Sequence, residues 1–185
     1  MMFTPPGNRV SRNLLTGAVL CAATLIFVSG CTGVNGGPGS ASSVKGVAVK
    51  PIRSETEARK AFYLVNEERI KRGMVPLTRD PDLDAVAMDH ARDLMRMNRL
   101  SHTSSDGKML ENRLKHLEWD WAGENLARNK GFESASAEAV RGWIASPKHY
   151  EIMFRPDFSQ TGMAAILDPD TGFTYFVQVF IIPVS

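Results

Sequence analysis

Glu124 and Asn125 stand inside an otherwise apolar run of strand length, Ala122–Ala127, "AGENLA". A carboxylate that must stay ionised is costly to bury unless something pairs with it, so Glu124 calls for partners elsewhere in the chain. The candidates are the histidines His90, His102, His116 and His149. His102 follows a predicted helix end and opens the polar run "HTSSDG", while His149 lies in the first turn after Pro147. Both stand at element junctions, where side chains can converge on a cleft. His90 and His116 fall mid-helix beside charged neighbours and read as solvated or satisfied packing residues. A set of His102, Glu124 and His149 suits Zn²⁺ with one position left for water or substrate, and such a metal makes a nucleophilic water near neutral pH. Without metal, Glu124 would hold one histidine in a single tautomer while accepting other hydrogen bonds; the plainest alternative is a scatter of separate structural histidines. The sequence has no HExxH pair, no Gly-x-Ser-x-Gly elbow and no cysteine placed for covalent catalysis.

The elements that must position these residues are mixed. "SETEARKAFYLVNEERIKRG" predicts a helix from Ser54 to Gly73, with a capping box of Ser54 and Glu57 and an apolar face of Ala58, Phe62, Val65 and Ile70. A second helix starts with Asp80 as cap and Pro81 in the first turn, and buries Leu83, Val86, Ala87, Ala91, Leu94 and Met95. Met88 and Met97 fill gaps beside that stripe. "MLENRLKHLEW" predicts a short third helix through Leu110, Leu114 and Leu117. A fourth follows Ser134 or Ser136, with Ala139, Val140, Trp143 and Ile144 inward, and "SPKHYEIMF" restarts a helical turn capped by Ser146. The C-terminal third changes period: "QTGMAAIL" and "FTYFVQVFII" flank the turn "DPDTG" and predict a hairpin. Both faces of its second strand are apolar apart from Gln178, so helices must cover both sides. The fold class expected is α+β, an α–β–α sandwich around an antiparallel sheet of three or more strands, with "GENLAR" as the third strand and about four helices.

The N-terminal stretch is of another kind. Arg9 and Arg12 precede an uncharged apolar stretch, Leu14 to Val28, shorter than a membrane-spanning helix needs, which marks a secretory leader over residues 1–30. "VSGC" resembles the lipobox of bacterial lipoproteins, which makes Cys31 the acylated anchor, palmitate being the typical chain, and leaves no thiol for a disulfide. Residues 31–53, rich in Gly and Ser, read as a tether that holds the domain roughly 25 Å from a bilayer on average. Loss of Arg9 and Arg12 brings the 22 basic residues level with the 20 acidic ones, which argues against nucleic acid as a partner. The domain itself is expected over residues 54–185. Thr32 after the anchor fits outer-membrane sorting if the envelope is Gram-negative.

The ordered set "LVNEER", "SHTSSDG", "AGENLA", Trp143 with "SPKH", and "YFVQVF" resembles the bacterial branch of the CAP superfamily, the cysteine-rich secretory, antigen 5 and pathogenesis-related proteins, over roughly Ala61 to Ile182. The resemblance implies an α–β–α sandwich with a central cleft. Two histidines and two glutamates line that cleft in many members and bind a divalent metal such as zinc in some. By motif, His102, Glu124 and His149 carry over. The second glutamate does not: Ser146 stands three residues after Trp143, where the family has it. Lys148, Tyr150 and Met153 also depart from the usual bacterial pattern and alter the rim.

Three functions are compatible with these residues. The leading one is a non-enzymatic, envelope-tethered binding module whose cleft, lined by His102, Glu124, Asn125, Ser146 and His149, takes a peptidoglycan fragment, a lipid or a protein. The second is a metal-dependent hydrolase with His102 and His149 as zinc ligands and Glu124 as ligand or general base. The third is a regulator of another envelope enzyme that binds through an outer surface.

Overall fold

The computed structural model describes residues 2–3 and 49–184, with side chains from residue 55 onward. The leader's apolar stretch, Cys31 and the Gly/Ser-rich run lie outside the described residues. The fold is mixed α+β. A five-stranded sheet runs in the order β1 (Met2–Phe3), β3 (Trp119–Asn129), β5 (Thr174–Pro183), β4 (Gln160–Leu167), β2 (Thr78–Arg79). Only β2 pairs in parallel, with β4. The helices are α1 (Val49–Lys71), α2 (Pro81–Met97), α3 (Leu110–Arg113), α4 (Ala135–Ala145) and α5 (Pro147–Met153). No helix among the described residues is long and apolar enough to cross a membrane.

The expected alternation of β5 holds. Tyr175, Val177, Val179 and Ile181 pack with Leu83, Ala87, Ala91 and Leu94 of α2 and with Leu110 and Leu114. Phe176 and Phe180 pack on the opposite face with Ala58, Ala61 and Val65 of α1, Val140 and Trp143 of α4, and Ile152 and Met153 of α5. The hairpin closes over Asp168–Phe173, where Gly172 takes φ 73° and Thr171 and Asp170 bond back to Asp168. Asp80 caps α2 as expected, its Oδ1 accepting from the backbone of Asp82 at 2.8 Å and Leu83 at 3.1 Å. The helix leaves through Asn98 at φ 52°, one of the few residue types that tolerate that conformation. A Cβ on Gly162 would overlap the backbone carbonyl of Leu83, so the first turn of α2 lies directly on β4 because that residue has no side chain.

Four expectations change. Helix α1 begins at Val49, not at Ser54, and Glu57 does not serve a capping box. Its Oε2 accepts from the backbone N–H of Ser136 at 2.8 Å, a carboxylate on the orphan donors of α4's first turn, which stabilises that end electrostatically. Ile70 is 59% exposed; the inward position is taken instead by Arg69, fully buried. Its guanidinium donates to the carbonyls of Val75, Met153, Arg155 and Phe158 and clamps the end of α1 to the turn after α5. The third helix is a single turn, because the chain bends at Leu114 to enter β3 and the indole of Trp119 donates to the Leu114 carbonyl at 3.4 Å. Ser146 occupies the cap position of α5, yet its side chain makes no capping hydrogen bond.

Candidate functional site

Strand β3 builds the site by alternation. Glu124 stands opposite Val179 of β5 and turns, with Ala122 and Leu126, into the α2 layer; Asn125 stands opposite Gln178 and turns into the layer of α4 and α5. Adjacent polar residues in one strand therefore serve two faces of the sheet.

Glu124 is fully buried and both its oxygens are engaged. His102 Nδ1 lies 2.8 Å from Oε1, and Arg113 Nη2 donates to Oε2 at 2.5 Å. His90 Nε2 lies 3.9 Å from Oε2. Burial pushes the Glu124 carboxyl up, but the His102 hydrogen bond and the Arg113 charge outweigh it and hold the group below the usual glutamate range. Since a carboxylate only accepts, His102 carries its proton on Nδ1. That leaves Nε2 as the ring atom free to meet a ligand, on a side chain that is 34% exposed.

The loop that carries His102 is tied down from two sides. His90 Nε2 lies 2.9 Å from the Ser101 carbonyl, so that nitrogen is the donor, and Nδ1 accepts from the Ser104 hydroxyl at 3.3 Å. Burial depresses the His90 pKa against the pull of Glu124, which favours the neutral ring. Asp93 accepts from the backbone and the hydroxyl of Ser105, each at 2.6 Å. From α3, Arg113 Nη1 donates to the carbonyls of His102 and Lys108 and to the Ser104 hydroxyl oxygen. Arg113 is thus both the counter-charge of Glu124 and a brace for the loop.

His149 approaches from the other layer. Asn125 Nδ2 donates to its backbone carbonyl at 3.2 Å, which fixes the start of α5 beside the strand. The His149 Nδ1 is buried with no hydrogen-bond partner among the described residues. Burial, with a smaller repulsion from His102, lowers its pKa. Of the expected set, His102 bonds Glu124 directly, while the His149 backbone is held by Asn125 and its ring lies near enough to His102 for the two to repel when charged. Ser146 is part-buried at the α4–α5 junction, and Lys148 is exposed. His116 lies on the surface as expected. His90 and Arg113 are the members that sequence reasoning missed. His90 sits seven residues after Leu83, in phase with the buried stripe, and that phase was the available signal.

These donors do not fit a three-ligand zinc centre. Both oxygens of Glu124 are turned to Arg113 and His102, and among the described residues no group of three His, Cys, Asp or Glu side chains stands close enough to hold a metal ion. What the arrangement presents is one oriented imidazole nitrogen, a second unsatisfied imidazole across the strand, and a carboxylate locked behind the first. A cavity of about 390 Å³ opens behind the network, between α2 and residues 104–116, walled by His90 and Arg113 but not by His102, Glu124 or His149.

Comparison with known proteins agrees with this architecture. The family model described as the cysteine-rich secretory protein family, CAP, matches residues 62–180. The uncharacterized protein YkwD of Bacillus subtilis is 25% identical over 131 residues, 70% of this chain and 50% of its own length, so the chain spans half of that curated relative. The crystal structure of an extracellular protein containing a SCP domain from Bacillus anthracis superposes with a TM-score of 0.63 at 25% identity, covering 74% of this chain and 45% of that one. An outer surface protein of Borrelia burgdorferi gives a TM-score of 0.63 at 23% identity, over 70% of this chain and 95% of its own, a likeness of fold. With more than half of its length matched by the family model, and with bacterial relatives on both counts, the chain belongs to the CAP superfamily of cysteine-rich secretory proteins.

Proposed function

We propose that this is an extracytoplasmic, envelope-tethered CAP domain that works as a binding module, its cleft taking a peptidoglycan fragment, a lipid or a protein segment between His102 and His149. The observation that carries the reading is the state of Glu124: a carboxylate sealed from solvent and bonded to Arg113 and His102 has no free oxygen for a metal or a substrate, and its role is to orient His102. Orientation of an imidazole by a buried carboxylate supplies a fixed acceptor at Nε2 for a ligand N–H or O–H. The basic leader, the "VSGC" run and the Gly/Ser-rich tether support a station outside the cytoplasm, anchored through acylated Cys31, as does the likeness to an extracellular protein of Bacillus anthracis.

The same dyad would serve a general base, and one experiment separates the two uses. Purified protein is titrated with cell-wall muropeptides and membrane-lipid extracts while products are followed by mass spectrometry. The binding module predicts saturable uptake that His102→Ala weakens, with no product. His102-dependent hydrolysis would overturn it in favour of the enzyme.

A further inference from the structure

The cavity of about 390 Å³ between α2 and residues 104–116 is walled by none of His102, Glu124 and His149, and its charges form a pattern of their own. Ala85, Val86 and Asp89 line it from α2, and Asn112, Lys115 and His116 line it from α3 and the bend that follows. The loop of Ser104, Ser105 and Lys108 joins these walls and is tied to both. Asp93 of α2 accepts from the backbone and hydroxyl of Ser105, while Arg113 of α3 donates to the Ser104 hydroxyl oxygen and the Lys108 carbonyl. Most charges around the space are already matched. Arg96 meets Asp93 at 3.0 Å, Lys108 meets Asp106 at 2.6 Å, and Arg113 is held by Glu124. Two are left for a guest. Lys115 is exposed and has no hydrogen-bond or ion-pair partner among the described residues. Asp89, itself 78% exposed, meets Arg92 at 3.0 Å in a surface pair, which is worth little in water.

The available anion therefore stands on the α2 wall and the available cation on the other. A guest carrying one sign of charge meets repulsion from one wall, whereas a guest carrying both finds a partner on each. We propose that this cavity binds a small zwitterion, a free dipeptide or tripeptide, with its ammonium group at Asp89, its carboxylate at Lys115 and a small side chain against Ala85 and Val86. The volume lies within the range of about 300–1,000 Å³ that small-molecule sites occupy. Arg113 Nη1 bonds both the Ser104 hydroxyl oxygen and the His102 carbonyl, so a guest seated against the loop is felt at the His102 ring. The site does not depend on what the cleft takes.

The test uses the ¹⁵N-labelled full chain in detergent and the dipeptide Ala-Ala as probe. Beside it run the N-acetyl form, which has no ammonium, the C-terminal amide, which has no carboxylate, and a neutral disaccharide. The dipeptide is expected to cause saturable shifts of the Ser105, Lys108 and Asn112 amides and of the His102 ring, with none at Asn125 or His149. Each capped form is expected to bind about fivefold more weakly, the worth of one exposed ion pair. Asp89→Asn removes the penalty on acetylation alone, and Lys115→Met the penalty on amidation alone; both positions are exposed, so neither exchange disturbs the core. The absence of saturable shifts, equal binding of the capped forms or of the disaccharide, or penalties that both variants leave unchanged would overturn the zwitterion site. Shifts centred on Asn125 and His149 would put the dipeptide in the cleft and overturn it too, with the reading of the cleft as a binding site left standing.

Discussion

The guanidinium of Arg113 meets the buried carboxylate of Glu124 at 2.5 Å, Nη2 to Oε2, with the Arg113 side chain only 8% exposed. The pair is less a source of net stability than a condition on its members. Desolvation offsets most of the Coulombic gain, but either charge left alone inside the domain is costly. Arg113→Met is expected to destabilise by about 3–5 kcal/mol, while Arg113→Met with Glu124→Leu recovers most of that loss. Denaturant titration of the two singles and the double measures the coupling; additive losses would contradict the pairing.

Arg69 has no acidic partner among the described residues; four backbone carbonyls receive its protons. Charged hydrogen bonds of this kind are worth more than neutral ones, and their removal leaves buried acceptors unsatisfied. Arg69→Ala is expected to cost about 3 kcal/mol or more, and Arg69→Lys to recover only part, since an ammonium cannot reach the geometry of a planar fork. Urea unfolding midpoints of the two variants check this, and a full rescue by lysine would contradict it.

Two glycines predict opposite signs. Alanine at Gly162 would drive a Cβ into the Leu83 backbone, and because backbone cannot swing aside, the expected loss is about 3 kcal/mol. Alanine at Gly142, inside α4 with nothing within 4 Å of the new Cβ, is expected to stabilise by about 0.5–1 kcal/mol. Thermal melts of both should move in opposite directions.

The buried histidines set a pH dependence. Burial lowers the pKa of His90 and of His149, so in the folded state both take up a proton at lower pH than they do in the unfolded chain. The unfolded chain binds protons first as pH falls through about 6.5. The contribution is therefore complete above that value and lost as pH falls towards the folded pKa values. Glu124, held below its usual range, adds a loss of the same sign at lower pH, as its folded carboxyl takes up a proton. The unfolding midpoint is expected to fall on acidification from about pH 7 to 5, with a shallower slope in His90→Gln. A midpoint that rises on acidification would contradict both histidine assignments.

The elements legible in the chain were those whose signals are local. Asp80 before Pro81, the α2 stripe and the period-2 hairpin around Pro169 and Gly172 depend on neighbours in sequence, and the structure follows them. The missed features answer to distant groups. Glu57 serves α4 and Arg69 serves the turn after α5, each 79 or more residues away, and no periodicity carries that information. The site divides in the same way. That Glu124 needs partners was readable from its setting, and His102 is one of them; that Asn125 would turn to the other face and bond the His149 backbone follows from strand alternation, which applies only once the run is known to be a strand. Arg113 ends a one-turn helix, and no local pattern around it signals that the fold closes over its charge.

Long-range ¹H–¹⁵N spectra of the histidine rings, recorded on the full chain above the histidine titration range, test the Glu124–His102 arrangement most directly. The predicted spectrum shows His102 protonated on Nδ1 with an unprotonated Nε2, unchanged by one equivalent of zinc. A proton on Nε2, or a zinc-induced shift of the His102 and His149 ring nitrogens at one-to-one stoichiometry, would contradict it.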